Sequence, residues 1–132
     1  MSFEHSDDVM WLEVSPNQET LAIGSVKEIR LYNVKDNKHL AILEGSTYEE
    51  DIFGFVSASI NCTFSPDGKY LAYRWENSVK IYNVNQGHDE KAITLNDGQN
   101  PRTITWSPDS QRILVGCFKD HIQVYTMNAD SS

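Results

Sequence analysis

A short turn motif occurs three times along this chain of 132 residues. It reads Ser-Pro-Asn from Ser15, and Ser-Pro-Asp from Ser65 and again from Ser107. Each copy is followed, 17 or 18 residues after its serine, by an aliphatic residue and a tyrosine. These tyrosines are Tyr32, Tyr82 and Tyr125. Two marks that keep their separation over three copies predict three structural repeats.

Each repeat contains short stretches typical of β-strands. Ahead of the middle turn, apolar Cys62 and Phe64 alternate with other residues, which is the period of a strand with one buried face. Proline and glycine in Ser65–Gly68 favour a tight turn into the next strand. A third strand precedes each tyrosine, and a fourth occurs twice, at Leu40–Leu43 and Lys91–Leu95. No stretch shows helical periodicity, so we predict about eleven strands in three antiparallel sheets.

Four short strands in roughly 40–45 residues make a β-propeller blade, and the segments resemble WD40 repeats over nearly the whole chain. Phe64–Ala72 is similar to the corner between the family's first two strands. Leu43–Ser46 resembles the family's Leu-x-Gly-His, with Ser in place of His, and Glu4–Val9 resembles its Gly-His opening segment. The Trp-Asp dipeptide is absent from the sequence, and Tyr-Asn or Tyr-Thr takes its place. The resemblance implies an all-β fold of WD40-like blades, with four-stranded antiparallel sheets and an incomplete buried polar network.

The three repeats predict that the whole chain is a single partial propeller. We expect blade 1 at about 9–45, an insertion at 46–59, blade 2 at about 60–96 and blade 3 at about 102–128. The third repeat stops after its third strand, at Met127, whereas closed propellers typically have four to eight blades. Two explanations stay open: the chain is a segment of a longer propeller, or two copies form a six-bladed ring with two-fold symmetry.

The alternation also predicts which side chains are buried. We expect Leu12, Cys62 and Ile104 to lie near the central channel, and Leu31, Ile81 and Val124 to lie between blades. The two cysteines, Cys62 and Cys117, stand in apolar strands of different repeats, so we expect two buried free thiols. Free thiols favour a reducing compartment and a cytoplasmic location.

The charge of the chain narrows its range of partners. The net charge is -8, with only 11 Lys and Arg residues, so no basic face is available for nucleic acid or for an anionic membrane. No apolar run approaches the roughly 20 residues of a membrane span. Met1–Asp8 carries three acidic residues and lacks the apolar core of a signal peptide. We therefore expect no nucleic-acid or membrane partner, and the acidity suits a basic protein partner.

The sequence contains no motif that predicts an enzyme, a cofactor or a metal site. It has neither a Gly-x-Ser-x-Gly nucleophile elbow nor a Gly-rich phosphate loop. Its four histidines lack zinc-ligand spacing. The adjacent carboxylates of Glu49–Asp51 lack the alternating spacing of a calcium loop. We accordingly expect no catalytic residues, cofactor or metal.

Two segments are candidates for partner binding, and both are predicted to emerge on the same rim. The insertion places aromatic rings beside carboxylates, and the connection after the second strand of blade 2 contains an arginine and a tryptophan, which are enriched at binding hot spots. An alternative is that the insertion covers a blade edge and that the tryptophan packs against the next blade. The candidate residues are Arg74, Trp75, Glu76, Tyr48, Glu49, Phe53 and Phe55.

These observations favour a non-catalytic scaffold for protein–protein interaction, with a protein or basic peptide as its partner. A fold does not fix a function, so two alternatives stay open. One is an accessory or gating propeller of a larger enzyme, like that of some serine peptidases. The other is a structural half-propeller that assembles with itself.

Overall fold

The computed structural model describes residues 11–25, 28–44, 62–75, 78–94, 101–117 and 121–127. Within these ranges the chain forms β-strands and no helix, so the prediction of an all-β chain is confirmed. It follows that no helix in these ranges is able to span a membrane. The strands are β1 (Trp11–Val14), β2 (Thr20–Gly24), β3 (Glu28–Asn33), β4 (His39–Glu44), β5 (Cys62–Phe64), β6 (Tyr70–Trp75), β7 (Ser78–Asn83), β8 (His88–Thr94), β9 (Pro101–Trp106), β10 (Arg112–Cys117) and β11 (His121–Thr126).

The strands form three antiparallel sheets that follow the order of the chain. The first sheet contains β1 to β4, the second contains β5 to β8, and the third contains β9 to β11. Each strand pairs with the one before it in sequence, as in a β-meander. The third sheet has three strands in the part of the chain that the structure describes. The predicted insertion 46–59 lies outside the described residues.

Two clusters of buried side chains hold the sheets together. The second sheet contributes to both clusters because side chains alternate between the two faces of a strand. The first cluster joins the first and second sheets and contains Ala22, Ile29, Leu31, Leu43, Cys62, Phe64, Leu71, Tyr73 and Tyr82. The second joins the second and third sheets and contains Ala72, Val79, Ile81, Ile93, Ile104, Trp106, Ile113 and Val115. The sheets are therefore stacked in chain order, like consecutive blades.

The prediction of burial is wrong for two residues. Leu12 is 63% exposed and Val124 is 56% exposed. Leu12 lies on the face of the first sheet that points away from the second, and Val124 lies on the far face of the third sheet. The alternation identified side chains that share a face, but a face is buried only where another sheet covers it. Cys62, Ile104, Leu31 and Ile81 are buried as predicted. Cys62 and Ile104 lie in the clusters between sheets, and their predicted place near a central channel is not tested by the structure.

The cysteine prediction is confirmed only where the structure describes it. Cys62 is a buried free thiol. The side chain of Cys117 lies outside the described part of the structure.

Each Ser-Pro-Asx motif forms the same hydrogen-bonded corner. In the middle repeat, Ser65 Oγ donates to Asp67 Oδ1 and accepts a hydrogen bond from the Tyr70 amide at 3.0 Å. The same two bonds recur at the corners that begin with Ser15 and Ser107. The corners satisfy polar groups that the turn would otherwise leave unpaired, which explains why the motif marks every repeat.

Neighbouring corners also contact one another. The Asp67 amide donates to Ser110 Oγ at 3.0 Å, which links the corners of the second and third sheets. Gly68 has a φ of 77°, and a Cβ added there would lie 3.0 Å from Asn17 Nδ2 in the corner of the first sheet. The three corners therefore line one rim of the stack, which we call the corner rim.

Candidate functional site

The predicted binding segments belong to the rim opposite the corners. β6 starts near its corner and ends on this opposite rim at Trp75, and β5 begins on the same rim because Cys62 pairs with Tyr73. In the first sheet, β4 ends on this rim with Glu44 paired to Glu28 at the start of β3. The ends of the strands that flank residues 45–61 and the β6–β7 connection are thus all on one side of the stack.

Arg74 is the predicted site residue whose side chain the structure describes. It is half-buried, near the end of β6, and its backbone pairs with Val79. The corresponding positions of the other two sheets are Gly24, paired with Ile29, and Gly116, paired with Ile122. The middle sheet thus places a long cationic side chain where its neighbours have none.

The reason for glycine at one of these positions is visible in the third sheet. A Cβ added to Gly116 would lie 2.7 Å from Thr103 Cγ2, which is closer than two carbon atoms approach without a shift. In the third sheet this position therefore accepts no side chain without a shift of Thr103, whereas the second sheet carries Arg74 at the corresponding position.

The remaining predicted site residues are not tested by the structure. Trp75 ends β6 with its backbone paired to Ser78, and its side chain lies outside the described part. Glu76 and the insertion residues lie outside the described ranges as well. The insertion residues are Tyr48, Glu49, Phe53 and Phe55. The site on this rim therefore stays a prediction.

A carboxylate that the sequence analysis did not single out lies between the first and second sheets. Glu13 Oε1 accepts a hydrogen bond from the Phe64 amide at 3.0 Å. Burial raises the pKa of Glu13, although this hydrogen bond acts in the opposite direction. Burial also raises the pKa of the Cys62 thiol well above its usual value, with a smaller contribution from the charge of Glu13. A protonated, buried thiol is a poor nucleophile. Cys62 therefore contributes to packing, and Glu13 links the first sheet to the second through its hydrogen bond.

A tyrosine and an aspartate form a second polar contact, within the second sheet. Tyr73 Oη donates to Asp89 Oδ1 at 2.8 Å, which joins β6 to β8 across β7. Burial, followed by the hydrogen bond to Asp89, raises the pKa of Tyr73. Burial and the same carboxylate also raise the pKa of Tyr82. Both phenols therefore stay neutral at physiological pH, and the Tyr73 hydroxyl donates its hydrogen bond to Asp89.

A shallow groove lies on the corner rim between the second and third sheets. Its lining includes Asp67, Lys69, Glu90, Gln111 and Met127. It is on the opposite rim from Arg74, so it is not part of the predicted binding segment. Across the described ranges, no three His, Cys, Asp or Glu side chains are grouped to hold a metal ion.

Comparison with known proteins agrees with this architecture. A family model described as a lactonase with a seven-bladed β-propeller matches residues 25–132. DDB1- and CUL4-associated factor 13 from Gallus gallus is 32% identical over 75 residues, which are 56% of this chain and 17% of that protein. Its counterpart from Xenopus tropicalis is 28% identical over the same shares of the two chains. A WD repeat-containing protein 26 homolog from Drosophila melanogaster is 40% identical over 78 residues, which are 52% of this chain and 12% of the homolog.

These similarities confirm the resemblance to WD repeats that the turn motif predicted. They also show that the chain matches less than a fifth of the length of these relatives.

Proposed function

Since this chain belongs to the family of seven-bladed β-propellers whose model carries the lactonase description, we propose that it serves as a non-catalytic scaffold for protein–protein interaction. The observation that carries the proposal is the similarity to a WD-repeat protein and to a protein named for its association with DDB1 and CUL4. Stacked sheets supply a rigid frame, and the connections between strands supply variable surface for a partner.

The rim opposite the corners is the proposed binding surface. The end of β6 carries Arg74 where the neighbouring sheets have glycine, and the strand ends on both sides of residues 45–61 lie on the same rim. The proposed contacts are Arg74, Trp75 and Glu76, with Tyr48, Glu49, Phe53 and Phe55 from the insertion. This composition suits a peptide with an apolar anchor and basic flanks. The net charge of -8 favours the approach of such a partner.

We expect Trp75→Ala to weaken peptide binding by about 30-fold, which corresponds to the roughly 2 kcal/mol of a hot spot. The probe is a peptide selected from a random phage-displayed library against the immobilised chain. Its affinity for the variant is measured by isothermal titration calorimetry. We expect the selected peptides to contain an aromatic or aliphatic residue flanked by Lys or Arg.

The matched control is Asn85→Ala, on the exposed β7–β8 turn at the opposite rim. This variant should bind the peptide as the unchanged chain does, and both variants should keep the same unfolding midpoint. If Trp75→Ala unfolds the protein while the residual folded fraction binds normally, Trp75 is a packing residue and the binding surface lies elsewhere.

An enzymatic role is the second candidate, because the matching family model is described as a lactonase. In this case the chain would be part of a catalytic propeller or an accessory propeller of a larger enzyme. The test is hydrolysis of a sugar lactone, followed as acid release at constant pH. The scaffold proposal predicts no rate above that of the buffer, and a protein-dependent rate would favour the enzyme instead.

A cytoplasmic location is also part of the proposal. It is supported by Cys62, which is buried as a free thiol in the described core. Free thiols persist in reducing compartments.

A further inference from the structure

The groove on the corner rim between the second and third sheets, which we call the corner groove, contains three charged side chains. They are Asp67, Lys69 and Glu90, and all belong to the second sheet, which packs against a described sheet on each face. The volume of the groove is about 240 Å³, below the roughly 300–1,000 Å³ of sites for small-molecule ligands. A space of this size fits one side chain of a partner rather than a cofactor.

The corner groove has an apolar part and a charged part. Tyr70 and Met127 are partly buried and pack against the second cluster, and the Tyr70 ring stacks on Trp106. Asp67 and Glu90 are exposed. A lysine or arginine side chain has the same division, because its aliphatic stem packs on apolar surface while its charged head stays in contact with water.

The hydrogen bonds of the two carboxylates leave their charge available. Asp67 Oδ1 accepts from the Ser65 hydroxyl and, at 3.0 Å, from the Lys69 backbone amide. Glu90 Oε1 accepts from Asn83 Nδ2 at 2.8 Å. These donors are neutral, so they orient the carboxylates without cancelling the negative charge. The Lys69 side chain adds one positive charge, which leaves the described lining with a net negative charge.

The pair of carboxylates is not a requirement of the repeat. In the first corner, Asn17 Oδ1 accepts the equivalent bonds, from the Ser15 hydroxyl and from the amide two residues ahead. The corner thus forms with a neutral side chain, and the charge of Asp67 is not needed within it. Glu90 has Leu40 as its counterpart in the first sheet, because each follows the residue that pairs with the tyrosine of the third strand. Of the two boundaries between described sheets, only this one combines the two carboxylates.

We propose that the corner groove is a second protein-binding site, which takes one lysine or arginine side chain from a basic segment of a partner. The aliphatic stem lies against Tyr70 and Met127, and the charged head lies beside Asp67 and Glu90. The net charge of -8 favours the approach of such a segment. The groove is on the rim opposite Arg74, so this site and the binding surface proposed above are independent of each other.

The probe is the blocked tripeptide acetyl-Gly-Arg-Gly-amide, titrated into the isotope-labelled 132-residue chain and followed by amide chemical shifts. We expect saturable shifts around the groove, including the amides of Lys69 and Gln111, with a dissociation constant in the millimolar range. The tripeptide with lysine should bind in the same place. The tripeptide with citrulline, which keeps the shape of arginine without its charge, should give no saturable shift.

Three variants test the charges of the groove. Asp67→Asn and Glu90→Gln each remove one negative charge and keep the acceptor of the existing bonds. Each should raise the dissociation constant about fivefold, which corresponds to the roughly 1 kcal/mol between opposite unit charges about 4 Å apart in water. Lys69→Gln should lower it by a similar factor, because it removes the competing ammonium group. The matched control is Asp109→Asn, the same change at the corner of the third sheet, and it should bind as the unchanged chain does.

The amide spectra also show whether each variant keeps its fold. If Asp67→Asn does not fold, Glu90→Gln and Lys69→Gln still test the groove. The proposal is wrong if the arginine peptide gives no saturable shift, or if the citrulline peptide binds equally well. It is also wrong if the folded charge variants bind with unchanged affinity. Saturable shifts confined to the opposite rim would overturn the corner groove as a site and leave the binding surface at Arg74 standing.

Discussion

Ile81→Ala is expected to lower the free energy of unfolding by about 2–5 kcal/mol. Ile81 lies in the middle of β7, paired with Ala72 on one side and Lys91 on the other. Its side chain is fully buried in the cluster between the second and third sheets. Truncation leaves a cavity between two sheets, and the surrounding side chains relax into such a cavity only in part.

The measurement is urea-induced unfolding, monitored by tryptophan fluorescence. Ile122→Ala is the matched control because it removes the same atoms from β11, where Ile122 is exposed. The control should change the free energy of unfolding by less than about 0.5 kcal/mol. A loss below about 1 kcal/mol for Ile81→Ala would show that the second and third sheets do not pack as described.

The strands of this fold were predictable from the sequence because each repeat mark is a complete local structure. Ser65 binds the side chain two residues ahead and the amide five residues ahead. The same bonds form at all three Ser-Pro-Asx motifs of the chain. Alternation on either side of the corner then determines which side chains share a face.

Contacts between sheets were harder to predict from the sequence, because they join residues that are about fifty positions apart. Glu13 alternates with apolar neighbours in the pattern of a solvent-facing residue, yet it accepts a hydrogen bond from the Phe64 amide of the next sheet. Leu12 and Val124 have the pattern of core residues and are exposed. In each case the alternation correctly predicts which residues share a face of the sheet. Whether that face is buried depends on the position of the neighbouring sheet.

The candidate site was predictable only in its chemistry and in its place along the chain. An arginine and a tryptophan at the end of β6 depart from the small residues of the other repeats, and the structure shows that Gly24 and Gly116 are those counterparts of Arg74. The insertion has no counterpart in the other repeats, so internal comparison gave no template for its conformation. Its aromatic residues identify a candidate surface without defining a geometry.

Trp106→Ala is expected to lower the free energy of unfolding by about 3–5 kcal/mol. Trp106 lies at the end of β9 and is buried in the second cluster. Its Nε1 donates to the Thr63 carbonyl at 3.0 Å. Its ring stacks on Tyr70, with centroids 6.3 Å apart and an interplanar angle of 18°. All of these contacts reach the second sheet, so one side chain couples two blades by burial, a hydrogen bond and ring stacking.

Trp106→Phe separates these contributions because it keeps an aromatic ring and removes the indole donor. The loss should then be smaller, about 1–2 kcal/mol, since the Thr63 carbonyl loses its indole donor while most of the apolar burial remains. Urea unfolding gives both values.

Hydrogen exchange read by mass spectrometry tests where the coupling acts. Because Trp106 joins the third sheet to the second, Trp106→Ala should raise the exchange of β9, β10 and β11 before that of β1 to β4. Equal loss of protection in all three sheets would contradict this, since it would mean that the stack opens as one unit and that Trp106 contributes only to global stability.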